Sequence, residues 1–283
     1  MKMSSVLARA AVIAPVLIGC PAPVIAQSAA GYPSKPIRFI VPFPTGAGTD
    51  IIARHVSAKL GENLKQQVVV DNRPGASTII GTEIVAKSPP DGHTIIVASN
   101  NHAINSALFL KLPYDPVKDF AAVGQLATVP FVLVVHPSLP VTSVRELIAF
   151  ARARPGQLSY ASTGNGTPPH VAGELLKQLA KINLIHVPYK GSPAALTDVI
   201  SGQVPMMFAN TLSAIQHVRT GRLHAIAVGA TKRITIAPEL PTVIESGLPG
   251  FDVSLQPSSD NQRSEKIGSD PDRLAKPRVQ WIL

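Results

Sequence analysis

Two stretches set small, flexible residues where an apolar strand hands over to a helical pattern: VPFPTGAGTDIIARHV, residues 41–56, and SYASTGNGTPPHVAGELL, residues 159–176. Glycine in such a bend leaves main-chain N–H groups uncovered. The first turn of the next helix adds N–H donors without intrahelical acceptors and the positive end of the helix dipole. That is chemistry for holding an anion. Gly46 and Gly48 supply the first bend and Gly164, Asn165 and Gly166 the second, where glycine adopts positive φ cheaply and Thr167 is expected to cap the helix. A glycine bend alone is an ordinary connection. Two in corresponding places of successive units point to two helix N-termini facing each other across a cleft, each favouring negative charge by ~0.3–1 kcal/mol.

Neighbouring side chains have two readings each. Asp50 either contacts a ligand or is an acidic first-turn residue favoured by the dipole. His170 either reaches a ligand or packs in the helix. Lys190, in HVPYKG, is an anion partner or a solvated surface lysine, and Asn210, just past the run MMFA, is a hydrogen-bonding candidate at a strand's carboxyl end. His136 and His186 stand in apolar strands and read as structural.

Nucleotide and catalytic chemistry fit less well. GAGTDI has the first two glycines of a dinucleotide fingerprint but Ile51 in place of the third, and Asp50 would repel a pyrophosphate. Gly-Lys-Ser/Thr, Gly-x-Ser-x-Gly and His-Glu-x-x-His are all missing, and the eight histidines have no ligand spacing. Basic residues are scattered singly, unlike a nucleic-acid surface.

The elements that position these bends alternate. KPIRFIVPF predicts a strand, Asp50 to Leu64 a helix, QVVVDNRPG a strand with a turn, Ser77 to Lys87 a helix, and HTIIVAS a strand followed by the loop NNHAIN. The pattern restarts with FVLVVHP, SVRELIAFARA capped by Ser143, LSYAS, Thr167 to Lys181, LIHVPY, PAALTDVISG, VPMMFAN, LSAIQHVRTG and LHAIAVGA. Strands apolar throughout and separated by helices predict an α/β fold of two units, each a mainly parallel sheet flanked by helices. Ligands of such sheets sit at the strands' carboxyl ends. At 283 residues and 45% hydrophobic the chain can build both cores.

Residues 1–26 have the layout of an export signal: Lys2 and Arg9, an apolar core from Ala10 to Gly19, then Val24-Ile25-Ala26. Without Lys2 and Arg9 the balance is 24 basic to 17 acidic residues, or +7. The only cysteine, Cys20, ends LIGC, which also suits a lipid-anchoring site; a disulfide framework is impossible. From about Leu255 the chain turns polar and proline-broken, the composition of a loosely held tail.

PFPTGAGTD, DNRPGAS, SPPDGHT, HAIN, LPYDPVKDF, VLVVHPSLP, SYASTGNGTPPHVAGELL, HVPYKG, ALTDVISGQV, FAN and LPTVIESGLPGF occur in that order. From about Tyr32 to Val253 the chain thereby resembles the substrate-binding proteins of tripartite tricarboxylate transporters, the Bug family. The resemblance implies a type II-like, two-domain periplasmic binding protein of the Venus-flytrap kind. Such a protein closes on a small carboxylate (a di- or tricarboxylate, acidic amino acid or aromatic acid) without catalysis, cofactor or metal. It implies a membrane permease as partner; the export signal separately points to the periplasm, soluble or anchored through Cys20, the scattered basic residues to no nucleic acid, and the protein is expected to be a monomer. Carried onto this sequence, the ligand residues are Phe43, Thr45, Gly46, Ala47, Gly48, Thr49 and Asp50, then Ser99 and Asn101, then Ser162, Gly164, Asn165, Gly166, Thr167 and His170, and finally Asn210. The expected domains are 33–125 plus 225–254, and 126–224, with 255–283 as the atypical tail. Ala47 stands where the family often has glycine, and Ala209 where an aspartate commonly precedes the asparagine; the latter favours a plain carboxylate over an amino acid. Family members continue past GLPGF with an aromatic-glycine segment and helices that return to the first domain, so the tail suggests a shifted frame or early stop near Ser254. The rival readings are a small-acid enzyme on the same fold and a non-binding remnant.

Overall fold

The computed structural model describes residues 31–253 and 280–282. The expected signal segment and most of the polar tail lie outside them. The unit that begins at Tyr32 carries every element.

The first lobe is built on a five-stranded sheet. Its strands are β1 (Ile37–Val41), β2 (Val68–Asn72), β3 (Thr94–Val97), β4 (Ala121–Gly124) and β10 (Gln280–Ile282), in the order β2-β1-β3-β10-β4. Every pairing is parallel. IRFIV is apolar at all but one position because helices cover both faces; Ile37, Phe39, Ile40 and Val41 are fully buried. The helices are α1 (Gly48–Leu64), α2 (Ile79–Ala86) and α3 (Asn101–Leu108). The segment expected as the loop NNHAIN is therefore largely helix α3. It has no apolar stripe because Asn101, His102 and Asn105 are the residues it buries. His102 is seated by Pro116 O at 2.8 Å and by ring contacts with Tyr114 and Phe120.

The second lobe has strands β5 (Phe131–Val135), β6 (Ser159–Ser162), β7 (Ile185–Pro188), β8 (Met206–Asn210) and β9 (His224–Val228), ordered β7-β6-β8-β5-β9. Its helices are α4 (Val144–Ala153), α5 (Pro168–Ala180), α6 (Ser192–Ile200) and α7 (Thr211–Arg219). β5 runs antiparallel to both β8 and β9, and the rest is parallel. Alternate residues of β8 feed different cores: Met206 and Phe208 join Leu147, Leu176 and Phe251 on one face, while Met207 and Ala209 join Leu196 and Val199 on the other.

Two expectations are corrected here. The expectation that 225–254 belong to the first domain fails as far as Val253, because β9 pairs with β5, and Val243, Leu248, Phe251 and Val253 pack into the second lobe's core. The tail was expected to be loose, yet residues 280–282 sit between β3 and β4 of the first sheet. Apolar content marks a strand; it does not name the neighbour with which the strand pairs.

Candidate functional site

In the first lobe, β1 ends at Val41 and the bend carries the chain to Ala47, the extended residue that precedes α1. Asp50 points back into the bend and is 2% exposed. One carboxylate oxygen accepts the N–H of Gly46 (2.9 Å) and Nε of Arg54 (3.0 Å), and the other accepts Nδ2 of Asn72 (2.9 Å). The same Asn72 amide donates to Phe43 O at 3.0 Å, and Thr45 Oγ1 reaches Asn72 Oδ1 at 3.3 Å. Burial by itself raises the Asp50 pKa, but the bonds from Arg54, Gly46 and Asn72 outweigh it and hold the carboxyl below its ordinary value. Of its two readings, the structure shows Asp50 tying the bend together. Gly46 thus spends its N–H on Asp50, and Ala47 spends its own on Pro44 O at 3.2 Å. The first-turn amides of Gly48, Thr49 and Asp50 are the donors that remain, since no helical carbonyl precedes them.

The second bend is tied differently. Ser162 Oγ accepts the Gly164 N–H at 3.2 Å and lies 2.6 Å from His186 Nε2. His170 Nδ1 accepts the Gly166 N–H at 3.0 Å. Thr167 holds the position before α5, but its hydroxyl bonds back to Gly164 O (2.7 Å), so the expected side-chain cap is not made. Pro168 and Pro169 open α5 and have no N–H to offer. The expected symmetry of two amide-rich helix starts therefore does not hold: anion-directed main-chain donors concentrate in the first lobe, and the second offers chiefly side chains and the Asn165 amide.

His170 stacks on His186 with centroids 4.1 Å apart, and His186 stacks on Tyr160 at 5.0 Å. Burial lowers the His170 pKa, Glu174 raising and Lys177 lowering it further. Burial, then the neighbouring His170, pushes His186 down to about 4. The Ser162–His186 contact resembles a nucleophile–base pair but is unsuited to that work. Ser162 is fully buried and bonded within its own bend, and a base with a pKa near 4 is mismatched to abstracting a proton at neutral pH. His186, read from sequence as merely structural, is instead the group that orients Ser162.

Across the lobes the bends meet along one seam. Gly48 faces the Asn210 side chain so closely that a methyl group there would overlap it. Gly46 lies opposite Pro193, Gly191 against Pro44, and Gly166 against Leu108. Ser77 Oγ donates to Asn165 O at 2.7 Å. Asn210 also caps α7 through Oδ1 and Leu212 N–H at 3.0 Å. Ser99 and Asn101 lie at the start of α3, with Ser99 Oγ donating to Asn101 Oδ1 at 3.0 Å; Asn101 is 1% exposed and its Nδ2 has no protein partner. The seam brings Gly46, Gly48, Gly166 and Asn210 to facing surfaces; Ala209 is buried in the second lobe's core. Grooves of about 550 Å³ beside α1 and about 480 Å³ beside β9 are lined by none of the expected ligand residues. Among the described residues no cluster of His, Cys, Asp and Glu suits a metal, and no helix is long and apolar enough to cross a membrane. Sequence reasoning passed over Asn72 and Ser77, which sit in the NRPGAS turn; the four polar groups converging on Asn72, from Phe43, Thr45, Asp50 and Arg54, could not be seen from spacing.

The family model described as "Tripartite tricarboxylate transporter family receptor" matches residues 52–256. A UPF0065 protein from the tcbD-tcbE intergenic region of a Pseudomonas species is 43% identical over 81% of this chain and 68% of its own length. Protein BugT of Bordetella pertussis is 40% identical over 82% of this chain and 71% of its own. Among solved structures, Rpa4515 of R. palustris with adipate superposes with a TM-score of 0.76 at 38% identity, covering 78% of this chain and 74% of that one. MatC from Rhodopseudomonas palustris with bound malate gives 0.73 at 33%, covering 78% and 76%.

Proposed function

Because the chain belongs to the tripartite tricarboxylate transporter family of receptors, which bind rather than transform their substrates, we propose that it captures a small di- or tricarboxylate, or a related organic acid, in the periplasm and presents it to a membrane permease. The observation that carries this reading is the seam itself: a glycine bend and helix start from the first lobe meet a glycine bend and the Asn210 cap from the second. One carboxylate of the ligand is held by the first-turn amides of Gly48, Thr49 and Asp50, where the helix dipole favours negative charge. Asp50 adds no repulsion in proportion to its charge, since Arg54 pairs with it. Asn101, with an amide free of protein partners, and Thr45, Ser99 and Asn210 supply hydrogen bonds to the ligand's other end. Adipate and malate, bound by two structural relatives, are the first ligands to try.

A thermal-shift panel of mono-, di- and tricarboxylates, followed by calorimetry, tests this. A ligand at a hundred times its dissociation constant should add ~2.7 kcal/mol of stability. A cooperatively folded sample that no organic acid stabilises overturns the proposal, and so does turnover of any of them.

A further inference from the structure

The turn between β2 and α2 is held in a backbone conformation that its residues disfavour. Gly75, Ala76, Ser77 and Thr78 have φ of 127°, 44°, 52° and 78° in succession. The other non-glycine positive φ values among the described residues are at Lys65 and Lys181, which are helix C-caps, where this conformation is common. Three side-chain-bearing residues in a row, one of them β-branched, are not a cap. Such a turn persists only where its surroundings impose it, and they do. Buried Asn105 donates Nδ2 to Ser77 O at 2.7 Å, and Thr82 Oγ1 donates to Thr78 O at 2.9 Å. What the turn achieves is to aim Ser77 Oγ out of the first lobe and onto Asn165 O, the carbonyl at the centre of the second lobe's glycine bend. Helix α3 braces both ends of this contact, because it carries Asn105 under the turn and Leu108 against Gly166.

We propose that Ser77 is a latch: its hydroxyl holds the two lobes together before any ligand is present, and the strained turn exists to present it. The proposal rests on the two lobes being a closing pair, not on what they close upon. Net, one such bond shifts the ratio of closed to open molecules by roughly 3–10-fold.

The test uses the unliganded full chain with spin labels on exposed positions of α1 and α5 (Ala58→Cys and Gln178→Cys, with Cys20→Ser), read by double electron–electron resonance. The parent should show a short-distance, closed population. Ser77→Ala and Ser77→Gly should both lower its ratio to the open population by roughly 3–10-fold. The glycine variant separates latch from scaffold, since it relieves the left-handed strain and should melt no lower than the parent while still losing closure. A parent without the short-distance population, or an unchanged distribution in both the alanine and glycine variants, overturns the proposal. Because no ligand enters the experiment, this failure is distinct from a failure of carboxylate binding.

Discussion

Gly48→Ala should impair ligand capture while sparing the fold. Gly48 opens α1 and faces Asn210 across the seam, and the added methyl has no room while the lobes are together. Its φ is not left-handed, so alanine fits the backbone. In a helix interior that exchange gains about 0.5–1 kcal/mol, and at a helix start it should be close to neutral. The cost falls on closure. To admit the methyl, Asn210 must swing away and give up the 3.0 Å bond by which it caps α7. Losing such a cap costs about 0.5–2 kcal/mol, which is a loss of roughly 2–30-fold in affinity. Calorimetric titration with the tightest acid from the thermal panel measures the loss, and a melt of the unliganded variant checks that the fold is intact. Asn210→Ser in the same background keeps a capping oxygen on a shorter side chain and should recover most of the affinity. Wild-type affinity in Gly48→Ala, or a drop in unliganded stability equal to the loss in binding, would refute the seam geometry.

Asp50→Ala removes the acceptor of the Gly46 N–H, of Arg54 Nε and of one Asn72 amide bond, leaving Arg54 only its bond to Asn72 Oδ1 and Asn72 only its bond to Phe43 O, and should cost about 2–3 kcal/mol in chemical denaturation. Its depressed pKa makes that stabilisation complete above the ordinary carboxylate value and lost as pH falls below it. His186 has the same sign at a higher pH, because burial depresses its folded pKa as well. Its folded pKa near 4 lies below the unfolded value of about 6.5, so its contribution is full above about pH 6.5 and declines toward pH 4, with a slope under about 1.4 kcal/mol per pH unit; melts of His186→Asn over this range should show a shallower decline, the remainder coming from His102, His170 and His217, whose pKa values burial also lowers. Gly173→Ala drives a methyl into the ring of buried Tyr160; it should lower stability by about 1–3 kcal/mol and leave carboxylate affinity of the folded fraction unchanged.

The elements that sequence reveals are those whose signal is local. IRFIV reads as a covered strand because nearly every position is apolar, and Ser143 reads as a cap because it stands directly before the helical run VRELIAFARA; the structure makes the cap bond, from the Glu146 N–H to Ser143 Oγ, at 3.2 Å. The two bends were legible for the same reason. Helix α3 was not, because it buries Asn101, His102 and Asn105 rather than an apolar stripe. The placement of β9 beside β5 was not legible either, since HAIAV pairs equally well with either sheet by composition. At the site, residue types announced an anion-holding bend but could not say which amides were already spent. Gly46 donating to Asp50 and Gly166 donating to His170 are outcomes of side-chain direction. Pro168 and Pro169 were in plain view, and their missing donors could have been counted in advance. Asn72 and Ser77 act on groups far along the chain, Ser77 on a carbonyl in the other lobe, and no pattern of spacing encodes that.

The seat of β10 makes the first sheet depend on a strand far along the chain. The strands and packing residues of the second lobe follow one another in a continuous stretch ending at Val253, so that lobe has every partner it needs early. The first sheet cannot be completed until Gln280 finds Ile95 on one side and Ala121 on the other, a pairing that must close a loop around the entire second lobe. Until then β3 and β4 present open edges to whatever strand comes by. Those two edges are accordingly where a neighbouring chain can compete with the distant strand.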